Sequence, residues 1–353
     1  MENIVFYPIT MFSLETVIVL VGEQPKLFQD KQVYVLAPPA IYEERENAGY
    51  LLNEELKSGI KVIGEEKLCE YEFKSIFVEL CEKDTEVKKF GDRVKEQIVR
   101  NGGTTCSLAE FCSKAKKESD WRKLIKNPES EETKTILEMY ELKRPTVPII
   151  GVGSLYHQLH TARIASNIRN TLKENRISVI YAGDLLYEAG IYSFPVERMQ
   201  GISFDDRIRI VNFMINQVID EEKPEALIVE IPGGIMKMDE KNLNGSGEYS
   251  YIYTSAVDID YYICSVFLNG CRVKMRYDKI TDFLERKYSL RKTAYHLSNM
   301  YLSPMRTVEH DRIPYVLVDS AYVNDVVREA KEQQIPAYNF LSCEEVKSWY
   351  QNL

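Results

Sequence analysis

At 353 residues, with 44% hydrophobic and 28% charged side chains, the chain has an ordinary globular composition and room for two cores. Its net charge of −9 argues against general nucleic-acid binding, which needs a basic surface. The longest aliphatic run, Val17 to Val21, falls far short of the roughly 20 residues that cross a bilayer.

Glu2 and Asn3 open the chain without the basic and apolar regions of a signal peptide. The cysteines are Cys69, Cys81, Cys106, Cys112, Cys264, Cys271 and Cys343, an odd number with no C-x-x-C pair. That pattern suits neither a disulfide framework nor a tetrahedral zinc site, so reduced thiols in the cytoplasm, with no metal, are expected.

Ile4 to Tyr7 reads as a first strand ending at Pro8, while Leu14 to Val21 fits helix or strand, because short β-branched runs lack a decisive period. Gln32 to Leu36, Gly59 to Ile63 and Ser75 to Leu80 are further strands. Between Glu82 and Arg100 the apolar positions Val87, Phe90, Val94 and Ile98 recur every three or four residues. This predicts an amphipathic helix, stopped by Asn101-Gly102-Gly103. Alternating strands and helices predict a parallel, Rossmann-like sheet over 1–103.

Residues 104–144 are rich in Lys, Glu and Ser and read as a partly helical connection. Arg144-Pro145-Thr146-Val147-Pro148 then favours extended backbone and opens a second domain over 145–353. There, Pro148 to Val152 is a strand, Leu155 to Asn175 a helix, and Ile177 to Tyr181 a strand ending at Gly183-Asp184. Phe204 to Glu222 is a long amphipathic helix with Asp205 and Asp206 in its first turn, where acids suit the macrodipole. Ala226 to Ile231 is a strand running into Pro232-Gly233-Gly234, and a polar loop continues to Gly247. Ile259 to Phe267 and Pro314 to Val318 supply later strands, and Val323 to Glu332 a helix. The fold class is α/β, with two Rossmann-like or P-loop-like parallel-sheet domains.

The stretch from Val147 to His160 has the outline of a strand, a glycine turn and a helix N-terminus, a geometry that can hold phosphate on backbone amides. Aligned on Gly151, the pattern G-x-x-x-x-G-K-[ST] meets Tyr156, His157 and Gln158 where glycine, lysine and a hydroxyl are needed. It is a degenerate Walker A motif. The lost ammonium is the group that neutralises the phosphates during transfer. Two readings stay open: nucleotide binding with Mg²⁺, or a Gly-x-Gly kept for close packing.

The order of strand, Gly-x-Gly, helix, strand ending in Asp184, helix, and strand ending in Glu230-x-Pro-Gly-Gly resembles the P-loop proteins that include dethiobiotin synthetase and the MinD/ParA ATPases. Glu230 falls where a Walker B acid would. Nearly the full length also resembles the clostridial peptide maturation system proteins. That likeness rests on Ile4-Val5-Phe6-Tyr7-Pro8, Val35-Leu36-Ala37-Pro38, Glu46-Asn47-Ala48-Gly49-Tyr50, Pro148-Ile149-Ile150-Gly151-Val152-Gly153 and Ile231-Pro232-Gly233-Gly234. It implies a setting beside a radical-SAM maturase, a small precursor peptide and an acyl-carrier-like protein.

The candidate ligand-binding residues are therefore Gly151, Gly153, Ser154, His157, Gln158, Asp184, Glu230, Gly233 and Gly234. His157 and His160, three apart, would share a helix face if the helix has begun, and Glu309-His310-Asp311 is a second acid–histidine group. Residues 272–292 hold eight basic and three acidic side chains, interleaved with Tyr277, Phe283 and Tyr288. They suit either a solvated helix face or an acidic or phosphate-bearing partner. A cation for the Gly151 loop could come from Arg163, Arg169, this cluster or a second subunit. The two functional hypotheses are an accessory protein that binds precursor peptide, maturase or carrier protein, and an ATP- or GTP-dependent ligase or kinase.

Overall fold

The computed structural model describes residues 2–9, 11–36, 59–64, 75–80, 85–112, 120–126, 130–156, 159–237, 243–268, 276–302 and 315–353. The chain divides into two compact units, Met1–Lys117 with Leu185–Ile191, and Glu118–Asp184 with Tyr192–Leu353. Each unit is α/β and built on an all-parallel sheet.

In the first unit the strands are β1 (Glu2–Tyr7), β2 (Lys31–Leu36), β3 (Ile60–Ile63), β4 (Ser75–Glu79) and β5 (Thr104–Ser107), in the order β3-β2-β1-β4-β5. Helices α1 (Met11–Glu23), α2 (Pro25–Phe28), α3 (Thr85–Arg100) and α4 (Leu108–Phe111) accompany them. The ambiguous Leu14–Val21 run is thus helical. Phe90, Val94 and Ile98 on one stripe of α3 pack against Tyr7, Leu36 and Phe77, as the spacing predicts. Thr104–Ser107 pairs with β4, so part of the polar 104–144 stretch is sheet edge rather than connection. Composition hides it because its burial is slight, as at any sheet edge.

The second unit begins with α5 (Asp120–Lys126) and α6 (Glu131–Met139), which pack on a long helix further along the chain. Its sheet contains β6 (Ile149–Ser154), β7 (Ile177–Ala182), β8 (Ser193–Phe194), β9 (Ala226–Gly234), β10 (Tyr261–Val266), β11 (Thr293–Leu297) and β14 (Ala337–Tyr338). Its helices are α7 (Thr161–Thr171), α9 (Phe204–Glu222), α10 (Glu248–Ala256), α11 (Tyr277–Tyr288), α12 (Ser320–Glu332) and α13 (Cys343–Gln351), while α8 (Asp184–Glu188) starts on the last residue before the Leu185–Ile191 segment of the first unit. The strand order is β14-β11-β10-β6-β9-β7-β8. A separate antiparallel ladder joins β12 (Met300–Leu302) to β13 (Tyr315–Leu317), so the strand expected near 314–318 lies outside the main sheet.

This order positions the site. The connection leaving β6 runs through α7 toward β7, and the connection leaving the adjacent β10 runs through α11 toward β11 in the opposite direction. Right-handed crossovers in opposite directions put those helices on opposite faces and leave a crevice beyond the carboxyl ends of β6 and β10. Among the described residues, no helix is long and apolar enough to cross a membrane.

Candidate functional site

Gly151 and Gly153 lie inside β6, two residues apart and on one face. Neither has a left-handed φ. A Cβ on Gly153 would stand 2.3 Å from the Tyr262 hydroxyl of β10, and one on Gly151 3.0 Å from the Tyr262 ring and 3.1 Å from Ile259. The expected tight glycine turn is therefore strand, and here the glycines admit a tyrosine from the neighbouring strand.

Just past β6, Leu155 is pinned on both sides, its N–H donating to the Ser265 carbonyl at 2.8 Å and its carbonyl accepting the Met236 N–H at 3.0 Å. The helix expected from Leu155 begins only at Thr161, because those cross-strand bonds hold the preceding backbone extended. His157 and Gln158 lie outside the described residues, as do Glu309, His310 and Asp311. His160 is the residue just before the helix, at φ 60.

Thr161, the first residue of α7, donates its hydroxyl to Glu230 Oε1 at 2.6 Å, and Ala182 N–H donates to Glu230 Oε2 at 2.9 Å. A helix-start hydroxyl bonded to an acid on the adjacent strand is the relation of the two Mg²⁺-holding positions in P-loop proteins. Placed on Thr161, the P-loop pattern covers Ser154 to Thr161. Its first glycine is then Ser154, its second Leu159 and its lysine His160. This frame lies three residues after the one aligned on Gly151. Only the hydroxyl survives, and the fully buried Leu159 side chain stands where glycine would let a phosphate approach.

His160 is buried, with Nε2 2.9 Å from Asn299 Oδ1 and Nδ1 3.5 Å from Arg163 Nη1. Because the amide oxygen can only accept and the guanidinium can only donate, Nε2 carries the proton and Nδ1 accepts. Arg163 is buried beside the turn, whereas Arg169 sits in the last turn of α7, about 12 Å along the helix axis.

Ser154 ends β6 and donates its hydroxyl to Gly233 carbonyl at 3.3 Å. The β6–β9 register slips between Val152 and Ser154, where Pro232 lacks an N–H and Gly233 takes φ 78, so β9 bulges and Gly234 pairs with Ser154. Asp184 heads α8, accepts from Glu197 N–H at 2.9 Å and stands 3.6 Å from Arg198. Burial raises its carboxyl, against the lowering from those partners. These contacts run to Glu197 and Arg198 in the loop after β8.

Within 276–292 three of the basic groups have local partners. Arg276 forms a fork with Asp278 at 3.0 and 2.6 Å, Arg286 pairs with Asp282 at 3.1 Å, and Lys287 lies over Phe283 and Tyr288. Among the described residues no group of histidine, cysteine, aspartate and glutamate side chains could hold a metal ion by itself. A divalent ion at Thr161 and Glu230 would therefore need further oxygens from a ligand or water.

Residues that the sequence reading passed over complete the site. Ser265 of β10 is in register with Ser154 and with His296 of β11, and Asn299 follows that strand. Thr161 was findable by placing the pattern on the helix start. His296 and Ser265 carry no local signal.

No family model matches the chain, and no curated protein matches it. Among solved structures, a DUF1611 family protein from Anabaena variabilis is similar over 99% of both chains, with a TM-score of 0.51 and 10% identity. This whole-chain likeness shows the α/β fold and nothing of chemistry. Chloroplast FtsY from Physcomitrella patens aligns over 96% of each chain at 11% identity, but its TM-score of 0.30 carries no argument.

Proposed function

We propose that this chain is a P-loop-like scaffold that has lost nucleotide hydrolysis and serves as an accessory of ribosomal-peptide maturation, binding precursor peptide, maturase or carrier protein. The observation that carries the loss of hydrolysis is the replacement of the glycine–lysine pair by buried Leu159 and His160. The imidazole of His160 is spent on Asn299 and Arg163 rather than extended toward a phosphate. The peptide-maturation setting rests on the sequence resemblance alone. Incubation with ATP or GTP and Mg²⁺ should release phosphate more slowly than the roughly 10⁻⁴ s⁻¹ of an unassisted GTPase. Co-expression with the neighbouring genes should recover peptide, maturase or carrier with the tagged chain. Recovery of none of them would remove the accessory role.

A second reading, an ATP- or GTP-dependent ligase or kinase, is favoured by one observation. Thr161 and Glu230 keep the paired oxygens that would hold Mg²⁺ with a nucleotide, and Arg163 is a cation beside the turn. Mg²⁺ would supply charge neutralisation at the phosphates; Thr161 and Glu230 would orient it. Turnover abolished by Arg163→Ala and by Glu230→Gln would establish this reading over the first.

A further inference from the structure

A row of polar side chains crosses three adjacent strands near their carboxyl ends. Ser154 of β6, Ser265 of β10 and His296 of β11 are mutually in register, so their side chains share one face, about 4.8 Å apart from strand to strand. The N-terminal turn of α7 stands over this row, since the His160 ring lies 6.5 Å from the His296 ring and edge-on to it. The row therefore lies at the β6–β10 switch point, where open α/β sheets take ligands.

Two groups in it have no partner among the described residues. His296 and Ser265 are both 0% exposed, yet His296 Nε2 and Ser265 Oγ make no hydrogen bond. The His296 Nδ1 accepts the Phe340 N–H at 3.0 Å, which puts the proton of the neutral ring on Nε2. Native structures rarely leave two buried donors unmade without a ligand or a bound water.

The surroundings select the ligand's charge. Arg163 is buried in the first turn of α7, the helix directs its amide dipoles at the same region, and the unmade groups are an imidazole N–H and a hydroxyl. Glu230, the nearby acid, is turned to Thr161 and Ala182 on the β9 side of β6. We propose that this row binds a small tetrahedral oxyanion, inorganic phosphate or the phosphoryl end of a larger ligand, with His296 Nε2–H and Ser265 Oγ–H as donors and Arg163 as counter-charge. The site differs from a Walker cradle, because its specific donors come from β10 and β11 rather than from a glycine loop. It stands whether or not the chain has a partner in peptide maturation.

The test titrates the full chain with inorganic phosphate by calorimetry, and in parallel with ATP and GTP. Saturable one-to-one binding at or below about 1 mM is expected, weakened about tenfold or more by Ser265→Ala and by His296→Asn. The asparagine keeps an acceptor for Phe340 N–H while removing the Nε2 donor. Tighter binding of nucleotide than of phosphate, with the same sensitivity to both variants, assigns the row to a phosphoryl end; equal or weaker nucleotide binding assigns it to the free anion. The proposal is overturned if neither phosphate nor nucleotide binds up to about 10 mM, as a site holding only water would behave, or if both variants bind like the parent. Should a variant fail to fold, the His296 imidazole N–H resonance of the parent decides. It must shift on phosphate addition, and an unmoved resonance rejects the site.

Discussion

Gly153 shows how one hydrogen-for-methyl difference governs the centre of the second sheet. Its absent Cβ leaves room for the Tyr262 hydroxyl, which is fully buried and has no hydrogen-bond partner among the described residues. Gly153→Ala should therefore destabilise the protein by about 1–3 kcal/mol, the range for overpacking a filled core. Tyr262→Phe removes an unbonded hydroxyl and should be close to neutral or stabilising in urea unfolding. The double variant should recover about half or more of the loss, because the nearest obstacle has gone. Strict additivity would show that Tyr262 is not what the glycine accommodates. The sequence displays the Gly-x-Gly spacing plainly, but a Walker-like loop and a packing notch have the same letters. Only the register of β6 against β10 separates them.

Among elements, α9 and α7 are instructive opposites. Periodicity and acidic residues predict a helix over 204–222, and the structure has α9 over Phe204–Glu222, capped by Ser203 accepting from Asp206 N–H. All of those signals are local. α7 starts six residues later than its apolar pattern suggests, since Leu155 is fixed by bonds to strands more than 70 residues away in sequence. The face of α9 also carries a polar hub that periodicity does not reveal. Buried Asn212 donates to the carbonyls of Lys143 at 2.8 Å and Ala256 at 2.7 Å, and accepts from Tyr140 hydroxyl at 2.7 Å and Lys143 N–H at 2.9 Å. Burial and the Asp220 charge push the Tyr140 phenol up to about 12, so it stays a donor. Asn212→Ala should cost about 2–4 kcal/mol, several donors and acceptors losing their partner at once. It should also speed hydrogen exchange at Lys143. A loss below about 0.5 kcal/mol would mean that water replaces the amide.

At the scale of the whole molecule, stability should depend on pH through His296. Burial, and then the nearby His160 and Arg163, hold its imidazole well below the ordinary range. The unfolded chain takes up a proton there below about pH 6.5, and the native chain does not. The group's contribution is therefore complete above about pH 6.5 and falls with pH below it, by up to about 1.4 kcal/mol per unit. Urea unfolding at pH 7.5 and 5.5 should show the parent losing about 1 kcal/mol more than His296→Asn, in which the carboxylates titrate alike. Parallel losses would mean that the imidazole titrates equally in both states.

The sequence by itself determined the α/β class and most of the described strand and helix positions. Each of these follows from local alternation, capping chemistry or residue type, which a chain states without folding. The tertiary structure decided that the glycines are strand, that Thr161 meets Glu230, and that Ser154, Ser265 and His296 stand in one row. Those facts depend on which strands are neighbours and in what register. A parallel sheet sets both through crossovers of a dozen or more residues, which no local pattern encodes.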